Sequence, residues 1–104
     1  MPRPKLSARA LSDIRAQVLW YNEQNAIAAG RFLRAVASAV EQVAQFPRRW
    51  PVFSGRVRRA MLRPFPFWIY YRDDRDCVEI LAVVHVRRAP AAWREPNENG
   101  ELPD

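Results

Sequence analysis

The chain has 104 residues, enough for one domain with a single core, and its 49% hydrophobic content excludes a disordered or fibrous chain. Its longest strictly apolar run, residues 80–84, is far short of the roughly 18 needed to span a membrane. The net charge is +6, with seventeen basic residues of which sixteen are arginine, and four of the eleven acids (Glu95, Glu98, Glu101 and Asp104) sit in the last ten residues, which hold no base.

Residues 1–94 therefore set seventeen bases against seven acids, a body of +10. Such a body attracts polyanions: nucleic acid, a nucleoprotein, or an acidic protein. A solvated arginine-rich surface is the plainer alternative. The first fifteen residues mix charges with small side chains and carry no apolar core of a secretory signal, so the expected location is the cytoplasm. Cys77 is the single cysteine and His85 the single histidine, which leaves no internal disulfide and no metal site of the usual spacing; no cofactor is expected. The glycines Gly30, Gly55 and Gly100 are too scattered for a phosphate-binding loop.

In chain order, a short strand signal covers residues 3–6. Leu11, Ile14, Val18 and Tyr21 then recur at helical spacing behind Ser7, an N-cap type of residue. A second helix runs from 26 to about 46 behind Asn25. Its apolar stripe is Ala29, Phe32, Leu33, Val36, Val40 and Val43, with Arg31, Arg34, Ser38, Glu41, Gln42 and Gln45 opposite. Pro47 ends it. The break at 22–25 is short, so the two helices form an antiparallel hairpin.

Residues 48–55 read as a loop and 57–63 as a strand. Phe67, Ile69 and Tyr71 alternate with Trp68, Tyr70 and Arg72 in a second strand. After a polar turn at 73–76, a third strand places Val78, Ile80, Ala82, Val84 and Val86 on one face. Glu79, Leu81, Val83, His85 and Arg87 fall on the other, and the second and third strands pair as a hairpin. One helical turn at 91–94 and an acidic, frayed tail at 95–104 follow. The expected architecture is α+β: an N-terminal antiparallel helical hairpin packed on a three- to four-stranded antiparallel sheet, with residues 1–94 as the domain.

Chemistry has few carriers. Cys77 and His85 lie on the same face of one strand, roughly 26 Å apart, which excludes a nucleophilic dyad within the strand. Arg48, Arg49, Arg56, Arg58, Arg59 and Arg63 form a stretch without an intervening acid, and Arg87 and Arg88 follow the last strand. Guanidinium forks on converging strands make a phosphate- or carboxylate-binding face; alternatively they are solvated residues that blunt a sheet edge. His85 beside Arg87 has the chemistry of a general acid or base in phosphodiester cleavage, or that of a half-buried structural histidine. Phe65, Phe67, Trp68, Tyr70 and Tyr71 serve either as a base-stacking platform or as strand packing.

Several residues recur in a known order: Asp13-Ile14, Trp20-Tyr21, Ala29, Phe32-Leu33, Phe46-Pro47, Arg63, Phe65-Pro66-Phe67, Tyr70-Tyr71-Arg72, Val83-Val84-His85, Arg87-Arg88, Pro90 and Trp93. This ordered set, spanning residues 7–93, resembles the RelE/ParE toxin superfamily. The resemblance implies the toxin of a bacterial type II toxin–antitoxin pair, neutralised by a small, acidic, partly disordered antitoxin. In a RelE-like member, a ribosome-dependent mRNA endonuclease, Arg59, Arg63 and Arg87 would hold the phosphate and His85 would move the proton. In a ParE-like member, an inhibitor of DNA gyrase without nuclease chemistry, Arg58, Arg87, Arg88, Trp93 and Arg94 would form contact surface. No tyrosine follows Tyr71, Trp93 stands where several nucleases carry an aromatic hydroxyl, and an indole cannot act as general acid or base. The only lysine is Lys5. These departures favour the ParE-like branch over the RelE-like one, with a non-toxic RNA-binding module as a third reading.

Overall fold

A computed structural model describes residues 3–74 and 77–89. The elements run β1 (Lys5–Leu6), α1 (Ala8–Gln24), α2 (Ala26–Gln45), β2 (Val52–Ser54), β3 (Val57–Met61), β4 (Phe67–Asp74) and β5 (Cys77–His85). Ser7 caps α1, its hydroxyl accepting from the Ala10 amide at 3.0 Å. A single extended residue, Asn25, separates the helices, and its side chain accepts from the Ile27 and Ala28 amides to start α2. The expected hairpin is present. Its inner stripe on α2 is Ala29, Phe32, Val36, Val40 and Val43, whereas Leu33 is 45% exposed. On α1 the buried line is Ala10 and Ile14, with Val18 and Tyr21 packed beside them, and Leu11 stays outside. Phe32 has no exposed surface and meets Tyr21, Phe65 and Phe67 with ring centroids 5.3–5.4 Å apart.

The α+β class holds, with a sheet of five strands in the order β1-β5-β4-β3-β2, beyond the three or four expected. The two shortest strands lie at its edges: β1 is the strand signalled at residues 3–6, and only β2 is additional. β1 pairs in parallel with β5, Lys5 opposite Glu79 and Leu6 opposite Ile80. β2 lies within the 48–55 stretch read as a loop: three residues are too few to show alternation. Gly55, at φ 55°, makes the turn from β2 into β3, a left-handed conformation that glycine adopts without steric cost.

One face of the sheet carries Ala60, Leu62, Phe67, Ile69, Tyr71, Val78, Ile80 and Val83 against the helices. The other carries Val57, Tyr70, Leu81, Ala82 and Val84, packed by Phe53, Trp68 and Ala89. The alternation expected along β5 breaks midway. Tyr70 pairs with Ala82 but Tyr71 with Ile80, which leaves Leu81 as the extra residue of a β-bulge. Val83 and His85 consequently face the helices, and Cys77, one residue before inward-facing Val78, lies on the opposite face from His85.

The helical hairpin also closes the β5 edge. Beyond β1, the Ser7 amide donates to the Ile80 carbonyl and its hydroxyl to the carbonyl of bulged Leu81, both at 2.9 Å. Asp13 Oδ2 accepts the Val83 amide at 2.9 Å. Backbone groups that would otherwise recruit another strand are thereby satisfied.

Burial pushes the Tyr71 phenol up to about 12, and its hydroxyl donates to the Pro47 carbonyl at 2.7 Å. The folded chain keeps a proton that the unfolded chain releases near 10. This contribution to stability is complete below about pH 10 and is lost as pH rises through about 12. Tyr71→Phe is expected to reduce that alkaline slope in unfolding midpoints measured against pH.

Candidate functional site

The arginines from 48 to 63 are dispersed by the fold, and acids distant in sequence reach some of them. Asp73 lies 3.7 Å from Arg48, and Asp74 lies 3.2 Å from Arg56, both from β4. Arg58 faces the helical side and donates to the Trp50 carbonyl at 2.6 Å. Arg49 lies over the Phe46 ring at 4.6 Å. Arg59, on the outer face, lies 4.0 Å above the Trp68 ring and 4.6 Å from the Phe53 ring. Arg63 is exposed.

Two of these, Arg59 and Arg63, line a groove of about 720 Å³ between α2 and β3, and Arg34 of α2 joins them. Its floor includes Ala35, Ala39 and Ala60, and no acid lines it. Arg34 belongs to the helix face that the sequence pattern assigns to solvent. Its role is legible only once β3 is placed beside that face. None of the three arginines pairs with a carboxylate among the described residues.

His85 sits elsewhere. Its ring packs edge-on against Phe67, with centroids 5.1 Å apart, and Nδ1 accepts the Arg87 amide at 3.0 Å. With Arg9, Asp13, Gln17 and Arg88 it lines a separate cavity of about 100 Å³ on the α1 side. His85 and Arg59 thus lie on opposite faces of the sheet, and the structure does not bring His85, Arg59 and Arg63 into one cluster. Arg87 and Arg88 are exposed on the turn after β5, where the Arg88 and Ala89 amides both donate to the His85 carbonyl. Trp93 and Arg94, the helical turn at 91–94 and the tail at 95–104 lie outside the described residues. Among the described residues no helix is long and apolar enough to cross a membrane, and no group of three or more His, Cys, Asp or Glu is placed to hold a metal.

Asp13 links this cavity to the fold. Burial raises its pKa, opposed by the Val83 hydrogen bond and by Arg9, which lies 3.4 Å away. Asp13→Ala leaves the Val83 amide without its acceptor and is expected to cost about 1–3 kcal/mol in chemical denaturation. Asp13→Asn keeps an oxygen acceptor without a charge to desolvate, and is expected to stay within about 1 kcal/mol of the parent.

A helical hairpin over a mostly antiparallel five-stranded sheet, with an arginine-lined groove, defines a small basic α+β domain. The family model described as the ParE toxin of the type II toxin–antitoxin system, parDE, matches residues 5–90. The chain belongs to this ParE toxin family. Among solved structures it is similar to a chain of a chromosomal ParDE toxin–antitoxin system from P. aeruginosa. The two share 25% identity and a TM-score of 0.62, covering 83% of this chain and 97% of the other. No curated protein matches it.

Proposed function

We propose that this type II toxin acts as a ParE-like inhibitor of DNA gyrase in the cytoplasm and is neutralised by a cognate antitoxin with an acidic, partly disordered segment. The family match over residues 5–90 carries the reading. The separation of His85 from the Arg59 and Arg63 groove supports inhibition by contact over cleavage, because a general acid must reach the phosphate that the arginines hold. Exposed Arg87 and Arg88, followed in sequence by Trp93 and Arg94, supply the target-contact segment. Arg58, engaged by the Trp50 carbonyl, contributes least to it. The described structure and the +10 body together fit an acidic partner.

Purified gyrase relaxing and supercoiling a plasmid provides the test. The chain is expected to block supercoiling, His85→Gln to block it equally, and Trp93→Ala to weaken the block. Uninhibited gyrase, together with ribosome-dependent mRNA cleavage that His85→Gln lowers by about 10²–10⁴-fold, would establish the RelE-like mechanism instead.

A further inference from the structure

The chain leaves the sheet on a definite side. His85 packs toward the helices, against Phe67. Ala89 packs instead on the outer face, against the cluster that Phe53 and Trp68 also cover. The turn between them, held by the Arg88 and Ala89 amides on the His85 carbonyl, thus carries the chain across to the face on which Arg59 lies. Residues 90–104 continue from that point.

Positive charge stands close to this exit. Arg59 lies 4.0 Å above the Trp68 ring, exposed Arg63 follows β3, and neither pairs with a carboxylate among the described residues. Strands two places apart in a sheet, as β5 and β3 are, lie about 10 Å apart. The stretch from Ala89 to Glu95 extends to at most about 20 Å, so the acids beyond it reach Arg59 with length to spare. Glu95, Glu98, Glu101 and Asp104 recur at every third position. Pro96, Gly100 and Pro103 oppose a helix there. An extended polyproline-type chain has three residues per turn and sets such a series along one side, about 9 Å apart. A guanidinium edge accepts such a carboxylate through two parallel N–H groups.

We propose that residues 95–104 act as an intramolecular strap: the segment folds back from Ala89 over Trp68 and sets its carboxylates on Arg59 and Arg63, which keeps other anions off that face. A tether of this length gives an effective concentration of about millimolar. Individually weak, solvent-screened ion pairs then suffice to hold the strap at low salt, and they give way as salt rises. The chain thereby masks part of its own +10 body until a stronger polyanion displaces the strap. This inference stands apart from the proposed function, because it concerns the chain alone and its test uses neither gyrase nor antitoxin.

The test places a nitroxide on the full chain through Asn99→Cys, with Cys77→Ser so that the label has a single site. Paramagnetic broadening is expected to be strongest at the Trp68 indole N–H and at Arg59 and Arg63, and to fade at about 0.5 M salt. Replacing the four acids together (Glu95→Gln, Glu98→Gln, Glu101→Gln, Asp104→Asn) is expected to abolish it, while unchanged amide shifts in the core report an intact fold. A second readout is the affinity for inorganic tripolyphosphate. The neutral tail is expected to tighten it by about tenfold in the parent chain, and by less than about twofold when Arg59→Gln and Arg63→Gln are already present. Broadening spread evenly over the surface, or strongest beside Asp13 on the helix side, would overturn the proposal. A tail effect of equal size with and without the two arginines would also overturn it, since net charge alone would then account for the gain.

Discussion

Phe32→Ala is expected to destabilise the chain by about 3–5 kcal/mol, the range for removing a fully buried aromatic ring from a packed core. Phe32 joins the helical hairpin to the sheet: its ring meets Tyr21 of α1, Phe65 of the β3–β4 connection and Phe67 of β4. An alanine leaves a cavity bounded by those three rings, which are attached to different elements and cannot all close on it. Small domains are stable by only about 5–15 kcal/mol, so this one ring decides whether much of the population is folded at 37 °C. The neighbouring substitution supplies the contrast. Leu33 is 45% exposed, and Leu33→Ala is expected to change stability by no more than about 0.5–1 kcal/mol. Urea titrations of the two variants measure the difference. Equal losses would mean that α2 presents a different face to the sheet.

The second large effect concerns the partner. Binding that occurs only to the folded chain adds stability by mass action, about 4 kcal/mol when free antitoxin stands 1,000-fold above its dissociation constant. For a domain of this size each kcal/mol raises the melting temperature by about 4–8 °C. The toxin–antitoxin complex is therefore expected to melt more than about 15 °C above the free chain, with the gap shrinking on dilution through the dissociation constant. Exposed apolar residues give this expectation a structural basis. Leu19, Trp20 and Ile27, near the junction of the helices, are 53–64% exposed, and an isolated chain keeps them in water. Differential scanning fluorimetry of the free chain and the co-purified complex checks it; coincident melting curves would contradict it.

Those exposed residues also show where sequence pattern stops being informative. Leu11, Ile14, Val18 and Tyr21 repeat correctly for a helix, yet the buried line on α1 runs through Ala10 in place of Leu11. Alanine contributes little to an apolar pattern, so a small core residue is silent while a large exposed leucine, one step around the helix, is conspicuous. The N-caps Ser7 and Asn25, the extent of α2 and the β4–β5 hairpin follow from local chemistry and were legible. The bulge at Leu81 was not, because nothing in an unbroken apolar run marks the residue that loses its pair. Its consequence reaches the candidate site: it turns Val83 and His85 toward the helices and separates His85 from Arg59.

The arginines illustrate the same limit from the side of charge. Their stretch from 48 to 63 contains no acid in sequence, but β4 carries Asp73 and Asp74 to Arg48 and Arg56 across the sheet. Spatial pairing divides the stretch into engaged arginines and the two, Arg59 and Arg63, that line the groove with Arg34. A linear count registers the excess of charge and not its location. Arg34 in particular has no signal in the chain, since its helical neighbours are the polar residues of an ordinary solvent-facing surface.

The most direct test of the central claim, that this ParE-family toxin acts on DNA gyrase by contact, is pulse-labelling of DNA and protein synthesis in the first minutes after tightly controlled induction in bacteria. DNA synthesis is expected to fall first, equally for the parent chain and for His85→Gln. Protein synthesis falling first, and recovering in His85→Gln, would contradict it.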